Sequence, residues 1–194
     1  NIIRRILQDS GVEVIHLAHN RSVEELVNTA IEEDAQGIAM SSYQGGHVEA
    51  FKYMVDLLGE KNAEHIKVFG GGGGVIIQDE IRELMDYGVA KIYSPEDGAA
   101  MGLQGMINHM LAILDFSTLP YHDLEPKDLQ PDMVNQISGL MTAVQEAKAN
   151  DRKQLDRLMA AIGPLAEKKN PPVIGITGTG GAGKSSLTDE LIVR

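Results

Sequence analysis

From residue 12 to about residue 115 the sequence alternates short apolar runs with longer stretches whose apolar residues have helical spacing. This alternation restricts the fold more than any other feature. Strands separated by helices join through right-handed crossovers into a parallel sheet. Val12–Leu17, Gly37–Ser41, Ile66–Gly70 and Ala90–Tyr93 read as strands. Helical patterns follow them from Val23 to about Asp34, His47 to Leu58, Gln78 to Tyr87 and Asp97 to Leu114. Ser22 and Glu25 have the spacing of a capping box, and Gly88 suits a left-handed helix end.

Residues 2–7 also have helical spacing and open in mid-pattern, so a further strand is expected ahead of Asn1. Five strands and five helices make a flavodoxin-like, doubly wound α/β domain, which binds ligands at the carboxyl ends of its strands.

Composition narrows the reading. Aromatic residues are 4% of the chain and Trp is absent, so the core is expected from Ile, Val, Leu, Met and Ala, as in a parallel sheet covered by helices. The formal net charge of −11 argues against a surface that neutralises nucleic-acid phosphates or anionic lipid. With no Cys, disulfides and thiolate metal sites are excluded. No apolar run reaches membrane-spanning length, and a cytoplasmic protein is expected.

Residues 117–171 read as a linker. A proline-containing loop runs to Pro131, two polar helices follow from Asp132 to about Ala149 and Asp151 to about Lys168, and Asn170-Pro171-Pro172 ends the second. Val173–Thr177 then reads as a buried strand leading into Gly178-Thr179-Gly180-Gly181-Ala182-Gly183-Lys184-Ser185, the P-loop pattern. Backbone N–H groups of residues 178 to 186, including Ser186, would wrap phosphates. Lys184 would reach the outer ones and Ser185 would ligate Mg²⁺. The acidic Mg²⁺-binding and water-placing groups of a nucleotide hydrolase do not follow within the nine residues after Ser185, so this portion alone is expected to be inactive.

The other constellation lies on the strand ends. Ser41-Ser42-Tyr43, Gly45-Gly46-His47, Gly70–Gly74 and Ser94-Pro95 follow successive strands and outline a slot lined by backbone, wide enough for a flat, bulky ligand. Residue chemistry alone specifies a ligand cleft and no reaction.

The stretches Gly37 to His47 and Val68 to Ile76 resemble the B12-binding domain of adenosylcobalamin-dependent acyl-CoA mutases. A B12 domain, a linker of this length and then a P-loop resemble the fused isobutyryl-CoA mutase family, which joins a B12 domain, a G-protein chaperone and a mutase barrel in one chain. The resemblance implies that Ser41 hydrogen-bonds the dimethylbenzimidazole tail of cobalamin, and Tyr43 stands where the family motif has Leu. Gly73 and Gly74, with Gly72 before them, match the pair that lets the tail pass, and Ser94 and Pro95 sit at the equivalent last turn. Gly178, Gly183, Lys184 and Ser185 match the chaperone's phosphate loop.

The resemblance further implies adenosylcobalamin, GTP with Mg²⁺, an acyl-CoA substrate handled by a mutase domain outside these residues, and homo-oligomers. The reaction implied is the radical interconversion of isobutyryl-CoA and n-butyryl-CoA, with no catalytic residue in this portion. The family's D-x-H-x-x-G motif, whose His ligates cobalt, does not occur here, so this portion is expected to hold cobalamin weakly or without His coordination. His16 and His19 read as surface residues, and His65, His109 and His122 as ordinary loop or helix residues. Two other readings stay open: a corrinoid carrier fused to a nucleotide-dependent chaperone, and a flavodoxin-like regulator linked to an NTPase.

Overall fold

The computed structural model describes residues 2–42, 45–71, 74–126, 129–169 and 172–193. In chain order the elements are α1 (Ile2–Asp9), α2 (Val23–Glu32), β1 (Gly37–Ser41), α3 (His47–Glu60), β2 (Lys67–Gly71), α4 (Gln78–Tyr87), β3 (Lys91–Tyr93) and α5 (Pro95–Leu114). A 3-10 turn (Leu119–Tyr121) follows, then α6 (Val134–Asn150), α7 (Arg152–Lys169) and α8 (Lys184–Val193). The chain divides into two compact units, Asn1–Leu155 and Asp156–Arg194. No helix among the described residues is long and apolar enough to cross a membrane.

In the first unit the strands form one parallel sheet in the order β1-β2-β3, with Ile38 opposite Val68 and Gly70 opposite Ile92. Alternation along β2 sends side chains to both faces. Val68 joins Ile38, Phe51, Met54, Leu84 and Ile92 beneath α2, α3 and α4. Phe69 packs on the other face with Leu7, Ile107 and Met110, from α1 and α5. Helices on both faces make this the doubly wound α/β fold expected from the alternation.

Glycine decides two contacts here. A Cβ on Gly37 would stand 2.7 Å from Leu114, and one on Gly70 would stand 2.6 Å from Ile92 and closer still to Phe51. Both helices therefore lie against bare backbone.

Local signals behave as the sequence suggests at two helix ends, and the structure adds a cap at a third. Ser22 and Glu25 form the capping box of α2. Gly88 ends α4 at φ 127°. Ser94 caps α5 by accepting the N–H of Asp97 at 3.2 Å, while its own N–H donates to the Asp97 carboxylate at 2.9 Å. Inside α5, Gly102 leaves the helical region at φ 66°, ψ 174° and kinks the helix.

Two expected strands are not formed. Val12–Leu17 joins no ladder, so the sheet has three strands where four were expected. Val12 and Val14 still pack against the second core cluster. Period-2 alternation records which face is buried, but a strand also needs a partner, and neither β1 nor β3 pairs with this segment. Val173–Thr177 likewise carries no ladder, and Val173 and Ile174 are 95% and 79% exposed. Ile176 alone of the run's apolar residues is half-buried, in a cleft it shares with Lys184, Thr188 and Ile192 of α8.

Candidate functional site

The loops after β1, β2 and β3 lie on one edge of the sheet, the carboxyl edge, because all three strands are parallel. The end of β1 and the loop after it carry Ser41, Ser42, Gly45 and Gly46, the loop after β2 carries Gly74, and Ser94 and Pro95 follow β3 into the start of α5. The structure thus brings these expected site residues to one edge. Tyr43, Gly72 and Gly73 lie outside the described residues, as do Asn170 and Pro171 at the expected end of α7.

Several bonds fasten the three loops to each other. The N–H of Ser42 donates to the Gly71 carbonyl at 2.9 Å, which carries the β1–β2 ladder one step beyond the strand. His47 opens α3 after Gly46, which sits at φ 84°, a left-handed conformation that glycine adopts without strain. The His47 side chain is 8% exposed, and its Nε2 lies 3.0 Å from Glu80 Oε2. The same Glu80 oxygen accepts the N–H of Ile77 at 3.0 Å and so caps α4. Gln78 Nε2 donates to Glu96 at 3.3 Å, joining the start of α4 to the start of α5. His47, expected among the ligand contacts, also ties the start of α3 to the start of α4 through Glu80.

The backbone of this edge is open. Among the described residues, a Cβ on Gly45 or Gly46 would meet nothing within 4 Å, one on Gly71 would meet only the Tyr93 carbonyl at 3.5 Å, and one on Gly74 only Pro95 at 3.6 Å. Charge is set by the helix starts, where Asp79 and Glu80 begin α4 and Glu96 and Asp97 begin α5. These carboxylates offset the positive ends of the helix dipoles, so the edge favours a neutral, flat group over an anion. Glu80 is held below its ordinary range first by the Ile77 backbone N–H and then by His47. Tyr93, at the end of β3, is pushed up to about 12 by burial and by Asp97. Its hydroxyl lies 2.9 Å from His109 Nδ1. An uncharged heteroaromatic group such as a benzimidazole fits this edge, since the small residues admit it and the ionised groups are already paired.

In the second unit, the residues expected to form a phosphate loop, Gly178, Gly180, Gly181, Ala182, Gly183, Lys184, Ser185 and Ser186, form a turn running into the first turn of α8. Gly181 and Gly183 sit at φ 77° and 76°, left-handed values that explain the glycines. Lys184 Nζ donates to the Thr179 carbonyl at 2.7 Å.

Two residues read as ordinary are not. His65 and His122 are drawn into a buried polar cluster with Asp34 and Thr118. Burial lowers the His65 pKa, and His122 acts in the same direction. Asp34, His65 and His122 lie 31 to 88 residues apart in sequence, and no spacing rule connects them.

The B12-binding domain family model matches residues 1–103. The chain belongs to the B12-binding domain family, and cobalamin is its ligand class. It is 59% identical over 196 residues to a fused isobutyryl-CoA mutase of Geobacillus kaustophilus, covering 100% of this chain and 18% of that relative. It is 57% identical over 194 residues to one of Cupriavidus metallidurans, covering 100% of this chain and 17% of the relative. A 2-hydroxyisobutanoyl-CoA mutase small subunit of Aquincola tertiaricarbonis is 32% identical over 91 residues, 47% of this chain and 65% of that protein. The chain thus spans less than a fifth of the length of the fused mutases it matches.

Proposed function

We propose that these residues are the cobalamin-holding domain, the linker and the opening of the G-protein chaperone of a coenzyme-B12-dependent mutase that interconverts isobutyryl-CoA and n-butyryl-CoA. The observation that carries this reading is the match to fused isobutyryl-CoA mutases along the whole chain, through the linker and the phosphate loop. The mutase small subunit matches less than half of this chain, which favours the fused arrangement over a free-standing carrier.

On this reading residues 1–116 hold the cofactor, 117–171 link and 172–194 begin the GTPase. The cofactor supplies a cobalt–carbon bond whose cleavage starts radical chemistry. The protein's share here is to hold the tail. Ser41, Ser42, Tyr43, Gly45, Gly46 and Gly72 to Gly74 form the slot, and Ser94 and Pro95 close its far side. The Ser94 hydroxyl is engaged in capping α5, so its part is to fix the turn. Gly178 to Ser186 bind the phosphates of GTP, with Ser185 on Mg²⁺, and the GTPase gates cofactor loading. Acyl-CoA binds a mutase domain elsewhere in a homo-oligomeric protein.

Cobalamin titration of the complete protein, followed by visible absorbance, tests the cofactor assignment, and conversion of isobutyryl-CoA to n-butyryl-CoA by the loaded protein tests the reaction. An unchanged spectrum at saturating cobalamin would sink the first. Cobalamin binding without isomerisation would sink only the second.

A further inference from the structure

Away from the sheet edge, three buried donors from distant parts of the sequence meet where the linker leaves the domain. Asp34 follows α2, His65 precedes β2 and His122 follows the 3-10 turn, and their ligand atoms all lie within 4.8 Å of one another. The end of α2 is built to put the carboxylate there. The Asp34 N–H donates to the Ile31 carbonyl at 3.2 Å and the Ala35 N–H to that of Ala30 at 2.9 Å, the two bonds of a Schellman ending. Its left-handed position is usually glycine, yet Asp34 occupies it at φ 48° and its side chain is only 3% exposed.

Asp34 Oδ1 lies 2.7 Å from His122 Nε2, and Oδ2 accepts the Thr118 hydroxyl at 2.6 Å. His122 lies against bare backbone on its other side, where a Cβ on Gly139 would collide with its ring. His65 is 6% exposed, stacks on Tyr121 and meets the His122 ring edge-on. Its Nε2 is buried with no hydrogen-bond partner among the described residues. A buried polar nitrogen left unpaired is costly and marks a missing ligand or water.

The geometry points to a divalent transition-metal site made by Asp34, His65 and His122, which staples the start of the linker to the B12-binding domain. Two imidazoles and a carboxylate, without thiolate, suit zinc and its first-row neighbours. With metal–ligand bonds of about 2.0–2.2 Å, tetrahedral ligand atoms stand roughly 3.3 Å apart. The Asp34–His122 pair therefore opens slightly on metal entry and His65 closes in. The hydrogen between His122 Nε2 and Asp34 Oδ1 must leave that nitrogen on metal entry, because imidazole ligates through an unprotonated nitrogen and carboxylate in its ionised form. His122 then carries its N–H on Nδ1. Burial already favours neutral His65. Thr118 stays on Oδ2 and orients the carboxylate. A cleft of about 590 Å³, lined by Asn62, Tyr121, His122, Asp123 and Asp132 among others, offers the entry path.

The test uses the complete protein, freed of cobalamin and stripped with a chelator, with Zn²⁺ or Co²⁺ alone as the probe. Anomalous diffraction at the zinc edge is expected to show a peak bounded by Asp34, His65 and His122. No peak there at saturating Zn²⁺ overturns the proposal. In competition titrations, His65→Gln is expected to weaken one equivalent of Zn²⁺ by at least about tenfold, and Thr118→Val by about 10- to 100-fold with the stoichiometry kept. The absorption of bound Co²⁺ should change with both variants. His65→Gln is the decisive variant, because its Nε2 makes no hydrogen bond that folding depends on. Zn²⁺ affinity equal in wild type and His65→Gln overturns the site and leaves a hydrogen-bonded latch.

Discussion

Gly70 and Gly45 are both glycines of the candidate cleft, and they are glycine for different reasons. Gly70 lies on β2 with Phe51 and Ile92 pressed against its bare face, so its role is packing. Gly70→Ala overfills a core in which Phe51 and Ile92 are 0% exposed, and is expected to destabilise the protein by about 1–3 kcal/mol. Urea unfolding would read this as a lower midpoint with an unchanged slope. Gly45 has no described residue within 4 Å of where a Cβ would stand, so Gly45→Ala is expected to move stability by no more than about 0.5 kcal/mol. It should nonetheless weaken cobalamin binding in an absorbance titration, because its methyl group occupies the slot. If Gly45→Ala binds cobalamin as tightly as wild type, the cleft does not run over this loop. In the sequence, Gly70 to Gly74 read as a single ligand-facing run. The division within it rests on Phe51, which reaches Gly70 from a helix whose docking no local spacing specifies.

At the scale of elements, the helices were legible because periodicity and caps are local. Ser22 with Glu25 and Gly88 identify their helix ends from neighbours three or four residues away. Strands and buried polar groups were less legible, because they depend on partners distant in sequence. Val12–Leu17 has the alternation of a strand and no ladder, and His65 and His122 carry no signal until the fold brings them to Asp34. The tie between His47 and Glu80 is of this second kind, joining the start of α3 to the start of α4 across 33 residues.

If that tie fixes the first two loops, His47→Gln and Glu80→Gln should each weaken cobalamin binding, with a coupling of roughly 0.5–3 kcal/mol in the double-mutant cycle. Additive losses would mean that the two residues act separately. Glu80 also predicts a pH dependence. Its folded pKa lies below the ordinary value of 4.5, so its contribution to stability is complete above about that pH and is lost as pH falls through the lower folded value. The difference in melting temperature between wild type and Glu80→Gln should shrink over that acid window. A difference that grows with acidification would reverse the sign and refute the assignment.

At the scale of the whole molecule, legibility runs the other way in the two units. The first has a complete enough core to show its fold, but its ligand could be named only by resemblance, because small residues at strand ends admit many flat groups. The second carries a phosphate-loop pattern within eight residues, while Val173 and Ile174, in the run that should anchor the loop, stand exposed and in no ladder. A phosphate loop positions its backbone N–H groups through the strand before it and the helix after it, and only α8 is formed here. Nucleotide binding is therefore a property to measure on the complete protein.

There, Lys184→Ala removes the one side-chain cation of the loop, which otherwise donates to Thr179. Loss of a charged hydrogen bond of about 1.5–3 kcal/mol corresponds to roughly a 10- to 150-fold drop in GTP affinity. Because Lys184 belongs to the second compact unit and the candidate cleft to the first, the cobalamin affinity of the nucleotide-free variant should equal that of wild type. The two titrations together decide whether the phosphate loop acts on the cofactor only when nucleotide is bound, as a loading gate requires. GTP should shift cobalamin affinity or its rate of entry in wild type and leave Lys184→Ala unmoved. A shift of the same size in both proteins would show that the loop is not the gate.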